Sequence, residues 1–359
     1  MTENKKRTVG ILAYYYPPTN DSGRGMDRFS FELFKGIKAS RRYTPIVLTH
    51  EGKSVTSFGY HCIKVHLNKN SLYHAVDVVN GMSGIILGKH PLITHIHDIH
   101  PFVNLKDHPE LKYYFSGIRG SLRRKAGNLC LKKSDALITP FPSNKSFILD
   151  KYGLDDEKIH VIPYGVDTTV FFRQPCNPEK NEDTNIVLCV SALLKERGIE
   201  ELIFAFNDVC KFVDANLLII GKGKDEKHFR KIVNKMNLDD NVSFLGFVPD
   251  EKLRYYYNIA DVFVFTSKLG FSLACLEAMA CETPVITTDS YDAKDILKDA
   301  AIIVQPGNID ELSKCIIKVL TNEQIKNELI IKSLNLSQRY TWAKTNEQYI
   351  HLYDRLLGL

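Results

Sequence analysis

Residues 260–289, ADVFVFTSKLGFSLACLEAMACETPVITTD, decide the fold of this chain. The apolar run 262–266 is typical of a buried parallel strand. A turn containing Gly270 follows, and residues 273–280 are mostly strong helix formers. Pro284 ends that helix before a second apolar run. The stretch therefore predicts a strand, a turn, a helix and a strand, which together form one unit of a parallel α/β sheet.

The turn at Gly270 is a candidate anion-binding site. A glycine turn that leads into a helix leaves several backbone N–H groups unpaired at the helix N-terminus, where they attract phosphate. Glu277 is the single carboxylate within the apolar helix that follows. An ordinary βαβ unit with a solvated glutamate would show the same pattern, so the residues alone leave both interpretations open.

Composition indicates an ordinary soluble protein of two domains. The chain has 359 residues, of which 44% are hydrophobic and 25% charged, and its net charge of +5 is too small to indicate a nucleic-acid-binding protein. The N-terminus is predicted to be a first strand rather than a signal peptide, and no apolar run approaches the ~18–20 residues that span a bilayer. Eight cysteines without CxxC spacing predict reduced thiols and a cytoplasmic location.

Alternating strand and helix patterns lie on both sides of a polar linker. Residues 173–183, RQPCNPEKNED, contain proline and lack periodicity, which is typical of an interdomain linker. We therefore predict one α/β domain at 1–172 and another at 184–340, each with a parallel sheet. The amphipathic tail 341–359 is expected to return and pack on the first domain.

Segment 260–289 resembles the signature of the retaining nucleotide-sugar glycosyltransferases of family 4. The positions shared with that signature are Ser267, Gly270, Phe271, Glu277, Ala278, Met279, Ala280, Pro284 and Val285. Leu269 stands where the family usually has its first glutamate, and Ser272 replaces the second glycine of the turn. The resemblance extends over nearly the whole chain and implies the GT-B fold, in which two Rossmann-like, doubly wound α/β domains face a central cleft. Ligands bind outside the carboxyl ends of the strands in such sheets.

The resemblance implies a binding site for a nucleotide-sugar donor. Glu277 matches the family glutamate that binds the ribose hydroxyls, and a carboxylate can accept hydrogen bonds from two vicinal hydroxyls. The loop 244–249, FLGFVP, resembles the family loop that lies against the base. The other donor-binding candidates are Gly23, Gly25, Gly221, Gly223, Phe247, Val248, Gly270, Phe271, Ser272 and Leu273. A plain surface turn would also explain Gly23 and Gly25, and a plain strand-to-helix turn would also explain Gly221 and Gly223.

Two cations that follow the predicted strand 186–190 are candidate catalytic residues. The family usually has an arginine in place of Ala192 and a lysine in place of Arg197, and both are taken to hold the diphosphate. Arg197 can supply bidentate positive charge to the leaving group, and Lys195 is the candidate substitute for the missing arginine. A solvated turn before a helix is the alternative interpretation.

Residues 94–101, THIHDIHP, form the densest titratable cluster of the chain. Strand alternation is expected to place His95 and His97 on the same face. His97 matches the family histidine that contacts the donor sugar, which makes it the third candidate catalytic residue. A satisfied structural histidine and a metal site are competing interpretations, but the spacing does not match the HxHxDH pattern of metallohydrolases, so we expect no metal.

Residues 113–133 contain six basic residues and no acidic one. Such a helix suits an anionic membrane surface or a phosphate-bearing acceptor, although a merely solvated face has the same composition. The resemblance places acceptor binding in the first domain. Our candidates for contact with the membrane or acceptor are Arg119, Arg123, Arg124 and Lys125. No stacking motif accompanies the charge, which argues against RNA.

These features predict a retaining glycosyltransferase that moves a sugar from a UDP- or GDP-sugar to a hydroxyl of a glycolipid or surface-polysaccharide acceptor. We expect it to need no cofactor and no metal, because cations and helix ends can neutralise the diphosphate. We expect it in the cytoplasm, peripheral to the inner face of the cell membrane. Ala192 and Leu269 leave open a non-catalytic relative that binds nucleotide sugar or stabilises a partner. A histidine-centred metallohydrolase is the third interpretation.

Overall fold

A computed structural model of the protein describes most of the chain. The described residues are 7–13, 25–49, 55–103, 117–174, 184–267, 270–289 and 293–359, and the side chains at 26–27, 55–60 and 118–119 lie outside the description. The chain divides into two compact units. The first unit comprises Met1–Pro163 together with Trp342–Leu359, and the second comprises Tyr164–Thr341.

The first unit ends at Pro163, before the boundary that we predicted at residue 172. The segment after Pro163 makes its hydrogen bonds within the second unit. The Val166 N–H donates to the carbonyl of Tyr340 at 2.9 Å, and the carbonyl of Val170 accepts from the guanidinium of Arg254 at 3.1 Å. Composition marks only the polar residues that follow this segment, whereas these hydrogen bonds join the segment itself to the second unit.

The first unit is built on a six-stranded sheet in which every strand pair is parallel. Its strands are β1 (Arg7–Ala13), β2 (Tyr43–Thr49), β3 (Leu72–Ala75), β4 (Leu92–His95), β5 (Ala136–Thr139) and β6 (Ile159–Val161). Their order in the sheet is β2-β1-β3-β4-β5-β6. Its first helices are α1 (Gly25–Ser40), α2 (Val55–Leu67), α3 (Val78–Ile86), α4 (Gly117–Lys133) and α5 (Pro142–Tyr152).

The second unit has a parallel six-stranded sheet of its own. Its strands are β7 (Asn185–Val190), β8 (Ala215–Ile220), β9 (Val242–Gly246), β10 (Val262–Phe265), β11 (Val285–Thr288) and β12 (Ile302–Val304), in the order β12-β11-β10-β7-β8-β9. Its helices are α6 (Ile199–Val209), α7 (Glu226–Lys235), α8 (Asp250–Ile259), α9 (Leu273–Ala280), α10 (Ala293–Leu297), α11 (Ile309–Thr321) and α12 (Glu323–Arg339). The last helix, α13 (Trp342–Leu356), belongs to the first unit.

Several inner strands of the two sheets are buried at every position, which explains why they read as apolar runs rather than as alternating patterns. Both β4 and β10 show this burial along their whole length, as expected for parallel strands that are covered on both faces. The predicted strand–turn–helix–strand of 260–289 is confirmed by β10, α9 and β11. The two sheets likewise confirm the predicted class of two doubly wound α/β domains. Among the described helices, none combines the length and the apolar character needed to cross a membrane.

Candidate active site

Four neighbouring strands of the second unit end beside the candidate residues. Arg197 follows β7, Gly221 follows β8, Phe247 follows β9 and Gly270 follows β10. The strands are adjacent in the order β10-β7-β8-β9 and run parallel. Because the carboxyl ends of parallel strands meet at one edge of a sheet, these residues share the edge where ligands bind in such folds.

The turn into α9 combines a left-handed glycine with a serine cap. Gly270 has a φ of +90°, a value that favours glycine. Ser272 is the N-cap of α9, and its Oγ accepts a hydrogen bond from the Ala274 N–H at 3.2 Å. The serine at the second glycine position of the family signature therefore satisfies one amide of this helix end. Phe271 and Leu273 are half-buried at the same turn.

Glu277 is held by a tyrosine that the sequence analysis did not identify. The carboxylate is buried, with 6% exposure, and its Oε2 accepts from the hydroxyl of Tyr257 at 2.9 Å. Tyr257, on α8, is fully buried against the rings of Phe171 and Phe263. Its spacing from the buried Leu253 indicates a buried helix face, but no local pattern indicates its partner. The hydrogen bond from Tyr257 therefore holds one carboxylate oxygen of Glu277, the residue predicted to bind the ribose.

Arg197 is anchored to the end of β10. Its Nη1 donates to the Oγ of the buried Ser267 at 3.1 Å. The hydroxyl of Thr266 donates to the carbonyls of Arg197 and Gly198 at 3.0 and 2.8 Å. Burial lowers the pKa of the Arg197 guanidinium, and the charge of Glu196 opposes this shift; an arginine stays protonated under such conditions. A positive charge is therefore fixed next to the residues that lead to Gly270.

Lys195 begins the short 3-10 helix Lys195–Arg197, and its side chain is exposed. Its backbone N–H donates to Asp225 Oδ2 at 3.1 Å. Ala192, which stands where the family has an arginine, is also exposed. The structure thus brings Lys195 into the same turn as Arg197, while its contact with a diphosphate stays a prediction.

The two glycines after β8 pack against the loop that leads to Arg197. A Cβ atom on Gly221, whose φ is +139°, would lie 1.9 Å from the carbonyl oxygen of Ser191, and one on Gly223 would lie 2.1 Å from that of Leu193. The Leu193 N–H also donates to the carbonyl of Lys222 at 3.1 Å. This backbone packing explains both glycines, and their contact with a nucleotide stays a prediction.

Phe247 and Val248 follow β9 and are partly accessible. Phe247 is 39% exposed, which is unusual for a large aromatic side chain, and Val248 is half-buried. The Gly221 N–H donates to the carbonyl of Gly246 at 2.8 Å. The candidate base-binding loop therefore begins directly beside the glycine turn after β8.

In the first unit, His97 lies just beyond β4 and stacks on His95. Their ring centroids are 5.0 Å apart at an interplanar angle of 20°, which confirms that both side chains lie on the same side of the chain. The Nε2 of His97 contacts the carbonyl of Val76, and because a carbonyl only accepts, this nitrogen carries the proton. Burial lowers the pKa of His97, while the bond to Val76 and the charges of Asp77 and Asp98 oppose that shift.

His95 is a core residue rather than a ligand-facing one. It has no exposed surface and also stacks on His74, with centroids 5.2 Å apart. Tyr349, from α13, contacts both rings edge-on. The interpretation as a structural histidine therefore fits His95. Across the described residues, no group of three or more histidine, cysteine or acidic side chains is arranged to hold a metal ion.

The remaining predicted residues belong to the first unit. Gly25 is the exposed first residue of α1, whereas Gly23 lies outside the described residues. On α4, Arg123 and Lys125 are exposed and Arg124 is half-buried. The side chain of Arg119 is outside the description, as is Leu269 of the second unit.

Two family models match the chain. The model described as "Glycosyltransferase Family 4" matches residues 64–170, and "Glycosyl transferases group 1" matches residues 172–335. Together they cover most of both units, including every described candidate residue except Gly25. The chain belongs to glycosyltransferase family 4.

Curated members of this glycosyltransferase family are distant relatives. An uncharacterized glycosyltransferase of Methanocaldococcus jannaschii is 23% identical over 74% of this chain and 69% of its own length. Mannosylfructose-phosphate synthase of Agrobacterium fabrum is 25% identical over 76% of this chain and 66% of its own length. The chain thus spans about two thirds of the length of these relatives.

Solved structures show the same fold over nearly the whole chain. Sucrose-phosphate synthase from Thermosynechococcus elongatus aligns with a TM-score of 0.81 at 19% identity, covering 98% of this chain and 99% of that one. Anabaena HepE in complex with UDP and glucose aligns with a TM-score of 0.76 at 19% identity, covering 97% and 100%. These matches confirm the predicted GT-B fold.

Proposed function

We propose that the protein is a retaining glycosyltransferase that moves a sugar from a UDP- or GDP-sugar to a hydroxyl of a glycolipid or surface-polysaccharide acceptor. The observation that carries this proposal is the pairing of Arg197 with Ser267 beside the Gly270 turn. It sets a guanidinium next to a helix N-terminus, a combination suited to a diphosphate. The solved complexes of HepE with UDP and with UDP-glucose, which share this fold, support a nucleotide-sugar donor.

In the proposed reaction, each part of the site has a separate task. Glu277, oriented by Tyr257, accepts hydrogen bonds from the ribose hydroxyls. Arg197 and the amides near Gly270 stabilise the charge that grows on the diphosphate as the sugar bond breaks. The departing oxygen takes the proton of the acceptor hydroxyl on the same face of the sugar, and His97 is our candidate for contact with the sugar. These groups supply the positive charge in place of a metal ion.

A non-catalytic role as a nucleotide-sugar-binding protein is the second candidate function. The exposed Ala192 favours it, because an arginine that family members use for the diphosphate is absent there. Incubation with a panel of UDP- and GDP-sugars, with and without membrane extract as acceptor source, separates the two. Nucleotide release above the spontaneous rate supports transfer, and donor binding without any release supports the second candidate.

Glu277→Ala is expected to weaken binding of the nucleotide sugar by about 1–3 kcal/mol, because the ribose loses a charged acceptor. Tyr257→Phe removes only the hydroxyl that holds Glu277 Oε2 and should weaken binding by about 0.5–1.5 kcal/mol. Isothermal titration calorimetry measures both. Tyr349→Phe is the matched control, since its buried hydroxyl lacks a hydrogen-bond partner among the described residues. Equal affinities for all three variants would remove Glu277 from the donor site.

We further propose that the outward face of α4 contacts an anionic membrane. Lys125 and the 53% exposed Leu122 lie on this face, and an apolar side chain among cations suits a lipid interface. Arg124→Glu combined with Lys125→Glu should weaken binding to phosphatidylglycerol vesicles by about 1 kcal/mol or more per residue. Vesicle co-sedimentation measures the effect, and phosphatidylcholine vesicles should bind neither protein.

The charge-matched control for the membrane experiment lies in the second unit. Lys231→Glu combined with Lys235→Glu reverses two exposed lysines of α7. If both double variants lose vesicle binding equally, the effect reflects net charge alone, and α4 is a solvated face.

A further inference from the structure

A groove runs along β6 within the first unit. Its lining comes from β6, from Lys145 on α5 and from the face of α13 that runs from Lys344 to Arg355. Its volume is about 760 Å³, which lies within the usual range of about 300–1,000 Å³ for ligand sites. None of the candidate donor, catalytic or membrane-contact residues lines it, so the groove has no role in the reaction described above.

The backbone of Val161 points toward this groove. The Ile162 N–H donates to the carbonyl of Thr139 on β5 at 3.0 Å, and alternate residues of a parallel strand direct their backbone groups to opposite sides. The N–H and C=O of Val161 therefore point away from β5, and β6 is the last strand of its sheet. No described residue pairs with the Val161 N–H, which leaves one backbone donor at the groove.

The free edge of β6 is too short to accept another strand. The Ile159 N–H already donates to the carbonyl of Asp156. Pro163, beyond the other end of β6, has no N–H, and its carbonyl accepts from the hydroxyl of Thr345 at 3.0 Å. Val161 alone offers both backbone groups, whereas strand addition depends on a series of main-chain hydrogen bonds. The groove therefore suits a compact ligand better than an extended peptide.

Arg355 brings a positive charge to the groove without an acidic partner. Its Nη2 lies 2.8 Å from Nε2 and 3.4 Å from Nδ1 of His160, and 3.4 Å from the carbonyl oxygen of Glu157. Within the described part of the chain, no carboxylate forms an ion pair with this guanidinium. An arginine stays protonated, so the protein leaves this charge uncompensated.

His160 is held in its neutral form beside this arginine. A guanidinium has no acceptor, so the nearer ring nitrogen, Nε2, accepts the hydrogen bond and the proton of the neutral ring lies on Nδ1. Burial and the charges of Arg355 and Lys145 lower the pKa of His160 to about 4, and Asp156 opposes this shift. Two basic side chains thus face each other without an anion, and an anion that entered would favour the charged form of both.

The remaining charges leave the groove with a positive excess. Its lining contains three lysine or arginine side chains and one carboxylate, that of Glu347. Lys145 Nζ pairs with Asp156 Oδ1 at 2.9 Å, and Glu347 Oε1 lies 3.9 Å from His351 Nε2. Asp156 offsets one of the three cations and Glu347 at most another, so the excess favours an anionic ligand.

We propose that the groove binds a small organic oxyanion, a carboxylate or a phosphate ester, through Arg355, His160 and the Val161 N–H. The buried side chains of Ile162 and Leu352 supply an aliphatic surface for the carbon part of the ligand. The ligand is an effector rather than the sugar donor or acceptor, because the groove contains none of the candidate reaction residues. The inference therefore does not depend on the proposed function.

NMR of the histidine C–H resonances in the full chain tests the inference, and His160→Gln assigns the signal of His160. Without ligand this signal should not titrate between about pH 5 and 8, because the pKa of His160 is about 4. A bound anion should raise that pKa so that the signal titrates within this range. The phosphate probes are hexose 6-phosphate and glycerol 3-phosphate, and the carboxylate probe is succinate. Hexose, glycerol and succinamide are their neutral partners and should leave the signal unchanged.

Variants then assign the binding to Arg355. Isothermal titration calorimetry with the probe that shifts His160 should show that Arg355→Gln weakens binding by about tenfold or more, and that Arg355→Lys, which keeps the charge but loses the fork, weakens it less. Arg339→Gln removes an exposed arginine from the last turn of α12, outside the groove, and should leave the affinity unchanged. Thermal melting verifies that each variant is folded.

Four results would overturn the inference. His160 could fail to titrate with every anionic probe, or chloride at equal ionic strength could produce the same shift, which would reflect screening alone. Arg355→Gln and Arg339→Gln could lose equal affinity, which would reflect net charge. Binding of an acidic, β-forming pentapeptide without binding of any small anion would assign the groove to strand addition instead.

Discussion

Arg197→Ala should lower kcat by about 10²–10³-fold while changing donor affinity much less. Charge accumulates on the diphosphate only as the sugar bond breaks, so a guanidinium at that position stabilises the transition state more than the bound donor. Arg197 is suited to this task because Ser267 and Thr266 already hold its side chain and backbone. Steady-state nucleotide release at varied donor concentration measures kcat and KM separately.

Three further variants show whether kcat depends on the positive charge of Arg197 or on the orientation of its guanidinium. Arg197→Lys keeps the charge and should retain part of the activity, since it loses the bidentate fork. Ser267→Ala removes the hydroxyl that orients Nη1 and should lower kcat without altering the charge. Lys195→Ala tests the exposed cation of the same turn. Wild-type kcat in Arg197→Ala, or a larger loss in Lys195→Ala, would assign the leaving group to another residue.

Secondary structure is predictable from the sequence where the local residue pattern matches the burial that the fold imposes on the segment. Residues 260–289 form β10, α9 and β11 where the pattern places them. The strands are covered on both faces, so continuous burial requires continuous apolar sequence. The turn between them requires Gly270, whose φ is positive. Side chains alternate between the two faces of an extended chain because of backbone geometry alone, so the sequence also predicts that His95 and His97 lie on the same face.

Partners that are distant in sequence could not be predicted. The Tyr257–Glu277 and Arg197–Ser267 bonds join different helices, loops and strands, and no periodicity specifies which polar groups will meet. The family signature predicts that Glu277 binds a ligand, but the tyrosine that orients it is visible only in three dimensions. The hydrogen bonds that join the segment after Pro163 to the second unit are also distant in sequence, so composition does not show them.

Gly221 has a packing role that the sequence does not indicate, beside the predicted contact with the donor nucleotide. The pattern of strand and close glycines suggests a backbone that a nucleotide approaches. The structure shows that the approaching backbone belongs to the protein itself, at Ser191. Both interpretations require glycine, so sequence cannot separate them. Substitution can, because a packing role predicts a loss of stability even without nucleotide.

Gly221→Ala should destabilise the second unit by about 3 kcal/mol or more. The added Cβ would lie 1.9 Å from the Ser191 carbonyl oxygen, and a φ of +139° strains any residue with a side chain. The atom it meets is backbone, so the loop that leads to Arg197 must move. Urea unfolding followed by far-UV circular dichroism reports both units, whereas fluorescence of Trp342, the only tryptophan, reports the first. We expect the dichroism transition to shift more.

Gly307→Ala separates backbone strain from steric overlap. Gly307 lies in the same unit with a φ of +81°, but a Cβ atom there would meet nothing within 4 Å. Its substitution should therefore cost only about 1–2 kcal/mol, the usual penalty of a left-handed residue. The excess loss in Gly221→Ala then measures the contact with Ser191. If the two variants unfold at the same urea concentration, the loop before Arg197 accommodates the methyl group, and close packing does not explain why position 221 is glycine.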